Sequence, residues 1–426
     1  MRPAEAILPA MTEPNPAHNF LTLMPADEFR ALLAAWPRLP AEEADLATAH
    51  GRFLADDLSA PEDLPPAARA SMDGYAVRAA DLFGTSESGP AYLEKAGSVA
   101  IHEPPTFALL PGQCAAITTG GWLPEGANAV AMVEHTHDLG AGTVEFRKPL
   151  APNDNVLLRG EDATKGEIAL RAGTLLRAPQ IGLLAALGIR AARVGRLPRV
   201  AILSTGDELV PAHETPPPGR IRDVNAHALS AMVREAGALP SMLGIVPDET
   251  PALAKALGAA LADHDVVLLS GGSSVGARDC TVAALDSLPQ ARVLVHGVAV
   301  SPGKPTILAE ANGRAMFGLP GQVTSAQVVM HVFVLPFLRH LAGACDAFSR
   351  AAGRSAVLAR NVASRHGRED WLRVALEERE GDLPLAHPRL GKSGLLRTLL
   401  DAQGLVRIPA TREGLGQGAR VEVHPF

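Results

Sequence analysis

Between residues 198 and 338 short apolar runs alternate with segments of helical pattern, and nothing else in the chain limits its fold as tightly. PRVAILST (198–205), SMLGIV (241–246), DVVLLS (265–270) and AMFGLP (315–320) have the length and apolar content of buried strands. NAHALSAMVREAG (225–237), TPALAKALGAALADH (250–264) and SAQVVMHVFVLPFL (325–338) read as helices. Asn225 and Thr250 are the expected N-caps, Pro251 suits a first turn, and Leu253, Leu257 and Leu261 recur on one face. Strands alternating with helices predict a parallel, doubly wound sheet.

The whole chain, at 426 residues, is too long for one core, so several domains are expected. Residues 1–19, with four prolines, read as disordered; helices are expected over 25–36, 41–58 and 178–189. From 67 to about 160, short apolar pieces broken by Gly, Pro and Asn predict a β-rich domain. Residues 345–426 read as a small β domain ending in ARVEVHPF. Net charge is −7, which argues against a nucleic-acid binder, so an anionic ligand must be held by local groups. No apolar run suits a signal peptide or a membrane span, and Cys114, Cys280 and Cys345 form no disulfide or zinc pattern. These features predict a cytoplasmic protein without a membrane partner.

In an open α/β sheet, ligands gather at the carboxyl ends of the strands. Here those ends read STGDEL (204–209), SGGSSVGARD (270–279) and GLPGQVTSA (318–326), with SPGKPT (301–306) between the last two. Small residues leave backbone N–H groups open, and a following helix adds the positive end of its dipole; both favour an oxyanion. Lys304 is followed by Pro305, and position 298 is Val298, so this is no Walker A loop, and no GxGxxG is present. Asp207, Glu208, Asp248 and Asp279 lie in or beside these loops. Alone, Asp279 reads first as a helix cap and Asp248 as a turn residue. Their recurrence at several strand ends points instead to Mg2+ bridging carboxylates and phosphate. Asp73 in ASMDGYAVR, and Glu161 and Asp162 in NVLLRGEDATKG, read on their own as turns. HTHD (135–138) has too few ligands for a metal and reads as a solvated hairpin.

SMDGYAVRAADL, ITTGGWLPEGANAV, RGEDATKGEIAL, STGDEL, SGGSSVGARD, PGKP and GLPG, in that order, resemble the molybdopterin molybdenumtransferase family over roughly residues 20–426. The resemblance implies a multidomain α/β plus β fold. Domain one, a discontinuous helical linker, would take 20–50 and 163–196. The inserted β-rich domain two would take 51–162, and domain three 197–343, a doubly wound α/β unit similar to molybdopterin adenylyltransferase. Domain four, β-barrel-like, would take 344–426. It further implies a homodimer whose cleft lies between domain three of one subunit and domain two of the other. The implied reaction inserts molybdate into adenylylated molybdopterin with Mg2+ and releases AMP, with possible transfer of the product to molybdoenzymes or their chaperones.

Carried over by position, the catalytic set is Asp73, Thr119, Asp162, Glu208, Asp248 and Asp279, with Asp248 and Asp279 holding Mg2+. The substrate-binding set is Ser204, Thr205, Gly206, Gly271, Gly272, Ser274, Lys304 and Pro320. The family usually has lysine where Ser301 stands, and Asn-Pro where Gln322 and Val323 stand. Losing that cation removes a charge-assisted hydrogen bond, and losing the proline frees backbone. Two alternatives follow: a carrier that binds molybdopterin without inserting metal, and an adenylyltransferase, which the SMDGYA segment and the extra domains oppose.

Overall fold

The computed structural model of the chain describes residues 23–271, 275–349 and 353–426, with no side chains for 275–279. The expected disorder over 1–19, and Gly272 and Ser274, fall outside the described residues, as does the side chain of Asp279.

The α/β domain is built on six strands in the order Leu239–Val246, Arg199–Thr205, Val266–Gly271, Arg314–Leu319, Ile307–Ala311, Ala291–His296. The first four are parallel, as the alternating pattern predicts. Ile307–Ala311 runs antiparallel to both its neighbours, which the all-parallel expectation missed. The cause is Asn312-Gly313, with φ of 54° and 77°, a two-residue hairpin turn whose twist suits the flanking strands. Helices cover both faces. Phe29, Leu229, Phe317, Phe333 and Phe337 fill one side and Leu203, Leu253, Leu257 and Leu269 the other. Most of these side chains are fully buried, and each contributes roughly 1.5–3 kcal/mol of apolar burial.

Two expected caps are displaced by one residue. The Thr250–Asp263 helix takes Glu249 as its N-cap, without a side-chain bond. The Asn225–Glu235 helix takes Val224 as its N-cap, also without a side-chain bond; Asp223 Oδ1 accepts the Ala226 N–H at 3.1 Å, and the Asn225 side chain goes to other partners. The helix expected over 41–58 is also corrected. Ala41–Asp45 is a strand paired with Ala191–Gly195, and only Leu46–Ala49 is helical. Alanine and glutamate favour helix locally, but pairing with a distant segment prevails.

Around that pair Ala44, Leu54, Leu176, Leu184 and Val194 form a small core with the Ala178–Ala186 helix. The preceding helix, Ala26–Ala34, packs elsewhere: Phe29 and Trp36 stand edge-on to Phe333 and Phe337 of the α/β domain. The chain leaves for the inserted domain through Leu58–Ser59 and returns beside it through Ile168–Leu170. The inserted domain is a six-stranded sheet in the order Ala129–Met132, Gly74–Val77, Gln113–Ile117, Ala91–Ser98, Thr143–Phe146, Thr136–Asp138. The last two strands make the hairpin expected at HTHD.

The C-terminal domain is a closed barrel. Glu369–Glu377, Leu385–Pro388, Arg354–Leu358, Arg420–Pro425 and Gly404–Ile408 pair in turn, and the last pairs back to the first. Closure removes exposed sheet edges. Val300–Ser301, from the α/β domain, adds to the barrel as a parallel neighbour of Glu369–Glu377.

Candidate functional site

Parallel register decides which loops meet. Thr205 lies opposite both Val246 and Gly271, and Ser270 lies opposite Leu319. The turns carrying Gly206 to Glu208, Asp248, Gly271 and Pro320 therefore leave the sheet at one edge. Gly271 has φ of +113°, and a Cβ there would overlap the Thr205 carbonyl oxygen. Only glycine lets these two strands end so close together. Gly206, at φ +149°, is buried beneath the Glu208 carboxylate, which sits 2.7 Å from where a Cβ would stand.

Ser204 and Thr205 are each 1% exposed, so their side chains form the floor of this edge rather than its surface. The Thr205 hydroxyl donates to the Val246 carbonyl at 3.0 Å and to Asp248 Oδ1. Asp248 is half-buried, and its own N–H points to Asp207 Oδ1 at 3.4 Å. Three carboxylates, Asp207, Glu208 and Asp248, are thereby gathered at one rim. Asn225 lies beneath it: its Nδ2 donates to Ser270 Oγ at 2.7 Å and to the Gly321 carbonyl at 2.9 Å. One amide thus ties the end of the central strand to the GLPG turn. Its Oδ1 and the Ser204 hydroxyl are buried without a described partner. The sequence marked Asn225 only as a cap.

Lys304 is exposed in the turn after Val300–Ser301, and Pro320 is buried. A residue missed from the sequence lies on the strand that pairs with Val300–Ser301. Arg373, on the Glu369–Glu377 strand, is 9% exposed; Nη2 donates to the Gly391 carbonyl at 3.3 Å, while Nε and Nη1 have no described partner. Burial pushes its pKa down. The adjoining barrel loop caps the helix after GLPG, since both the Thr324 N–H and hydroxyl donate to the Ser393 carbonyl, at 3.0 and 2.7 Å. A buried guanidinium with idle donors costs free energy unless an anion meets it.

Asp73, Thr119 and Asp162 lie in the inserted domain. Asp73 Oδ1 accepts the Thr119 N–H at 2.7 Å and its hydroxyl at 2.8 Å. Those bonds, the backbone one foremost, hold the exposed Asp73 carboxyl below the usual range. Gly74 follows with φ +154°, where a Cβ would overlap the Ala131 carbonyl. Asp162 stands apart on an exposed turn, its N–H donating to the Leu64 carbonyl at 2.9 Å. Among the described residues, no hydrogen bond or ion pair joins these three side chains to the strand-end rim. Nor does any group of three His, Cys, Asp or Glu form a metal cluster among them.

A doubly wound α/β domain with glycine turns at one sheet edge, an inserted sheet carrying an exposed Asp–Thr pair and a closed barrel define a multidomain α/β plus β protein. Residues 24–188 match the MoeA N-terminal region (domain I and II), 201–340 a probable molybdopterin binding domain, and 355–426 the MoeA C-terminal region (domain IV). A molybdopterin molybdenumtransferase of Bacillus subtilis is 32% identical over 375 residues, covering 87% of this chain and 86% of that protein. One from a Nostoc species is 36% identical over 339 residues, covering 78% and 77%. The crystal structure of a molybdopterin biosynthesis MoeA protein from Pyrococcus horikoshii superposes with a TM-score of 0.74 at 36% identity, covering 94% of this chain and 98% of that one. The chain belongs to the molybdopterin molybdenumtransferase family.

Proposed function

We propose that this protein inserts molybdenum into molybdopterin, taking the adenylylated form and molybdate as substrates and releasing AMP. The observation that carries this reading is the single sheet edge where Gly206, Gly271, Asp248 and the Gly321 peptide meet. Open amides there suit the phosphate, in the manner of other strand-to-helix turns. Lys304 and Arg373 supply positive charge for an incoming oxyanion, and Arg373 offsets the cation missing at Ser301.

Mg2+ fits the acidic rim. It needs only one or two carboxylates beside phosphate oxygens and water. Asp248 Oδ1 is committed to Thr205, and Asp207 Oδ1 lies beside the Asp248 N–H. Asp248 and Asp279 would hold the ion, which neutralises charge developing on the phosphoanhydride. Thr205 fixes the Asp248 rotamer, Asn225 fixes the turn facing it, and Glu208 covers Gly206 where the pterin would rest.

Asp73, Thr119 and Asp162 complete the site from a second copy. The support is their separation from the rim within one chain, together with exposure of the Asp73–Thr119 pair. On this reading the protein works as a homodimer and passes product to molybdoenzymes or their chaperones. No helix among the described residues is long and apolar enough to cross a membrane.

The test combines purified protein, adenylylated molybdopterin, molybdate and Mg2+. AMP release is expected, and Asp248→Ala or Asp279→Ala should reduce it by roughly a hundredfold or more. Tight pterin binding without AMP release would establish the carrier instead.

A further inference from the structure

Glu369 is 1% exposed and sits where three distant parts of the chain meet. Its carboxylate takes Arg30 from the first helix, Arg407 from the barrel, and Trp371 Nε1 at 2.7 Å. Both arginines are largely covered, with side chains 13% and 17% exposed. Arg30 also lies 5.1 Å from the centre of the Phe333 ring. The Glu369 N–H donates to the Ala299 carbonyl at 2.9 Å, and Glu369 and Asp370 pair with Val300 and Ser301. From the other side, the Met24 N–H donates to Gly297 and the Ala299 N–H to Met24, at 3.1 and 2.8 Å. This short strand runs straight into Pro302, Gly303 and Lys304. Gly303, at φ +120°, packs directly against Val329.

We propose that Glu369 is a positioning residue for the Lys304 turn. Through the Val300–Ser301 pairing it holds that turn in register with the barrel, and so sets where Lys304 stands relative to Arg373, four residues along the same strand. The inference rests on reading Lys304 as a substrate-facing cation. The chemistry suits the task. Arginine forks fix a carboxylate in angle as well as distance. A two-residue ladder has little rigidity of its own, so its placement is borrowed from this buried joint. Removing the carboxylate's charge leaves both guanidiniums to Asp27, whose side chain is 74% exposed, so the joint loses its buried anion.

The experiment uses the full chain with Glu369→Gln, Glu369→Asp and Arg30→Lys, and Arg354→Ala in the exposed Arg354–Glu378 pair as control. Amide hydrogen exchange is followed over 297–304 against the central strand 199–205, and molybdate KM and kcat are measured by AMP release. For Glu369→Gln, exchange over 297–304 should rise about tenfold while 199–205 stays protected. The KM for molybdate should rise about tenfold with kcat within about twofold, because a displaced binding group weakens capture. Glu369→Asp should recover part of both effects, Arg30→Lys should show a smaller shift in the same direction, and Arg354→Ala none. If Glu369→Gln does not fold, Arg30→Lys carries the test. Unchanged exchange over 297–304 in the folded variants overturns the proposal, as does faster exchange with unchanged KM. A parallel Lys304→Ala with unaltered molybdate KM would sink the reading of Lys304 itself, leaving the joint to be judged by exchange.

Discussion

Replacing Thr205 with valine deletes one hydroxyl and keeps the branched shape of a residue that is 1% exposed. One proton is lost, shared between the Val246 carbonyl at 3.0 Å and Asp248 Oδ1. A bond to a charged group contributes about 1.5 kcal/mol, the lower end because Asp248 is half open to solvent. A loss near that figure in a domain of roughly 150 residues lowers its Tm by about 3–6 °C. Function should suffer separately. Without Thr205 the Asp248 carboxylate turns freely, and a placement loss of about 1.4 kcal/mol corresponds to a tenfold weaker ion. Differential scanning calorimetry reads the first effect. The Mg2+ concentration giving half-maximal AMP release reads the second. A lowered Tm with an unchanged Mg2+ requirement would refute the assignment of Asp248 as an ion ligand. No change in either would show that the Thr205 bonds contribute nothing.

Arg373→Met should hold or raise stability, by up to about 3 kcal/mol, because it removes a buried guanidinium with idle donors. The same variant should weaken molybdate capture, and a melt paired with molybdate titration checks both. His331, half-buried beside the Phe426 ring, has its pKa pushed down to about 4 by desolvation first and Arg339 second. Folding therefore favours its neutral form. Its contribution is full above the unfolded value near pH 6.5 and is lost as pH falls toward 4, by at most about 3 kcal/mol. His331→Leu should flatten the stability profile between pH 6.5 and 4 in urea melts, and an unchanged slope would contradict this.

The parallel half of the α/β sheet was legible because strand and helix periods differ and alternate cleanly from Arg199 to Leu319. The hairpin at Asn312-Gly313 was also written in the chain, but the surrounding βα rhythm masked it. Ala41–Asp45 was not legible, since its residues prefer helix and its partner lies at Ala191–Gly195. At the rim, glycines and aspartates announced themselves by type. Arg373 did not: an arginine alternating with apolar residues reads as solvent-facing, and only burial between domains reveals its idle donors. The roles of Asn225 and Glu369 were hidden for the same reason, because each depends on a distant partner, Gly321 at 96 residues for Asn225 and Arg30 at 339 for Glu369.

The ribbon that joins the inserted sheet to the rest has a mechanical consequence. Outgoing Leu58–Ser59 and Arg69–Ala70 run beside returning Ile168–Leu170 and Val156–Leu157. The sheet is thus mounted as a cantilever with both wires in one stem. Asp73 and Thr119 are bonded to each other within the sheet so mounted, so a displacement of the stem would carry them as a pair, their bond intact.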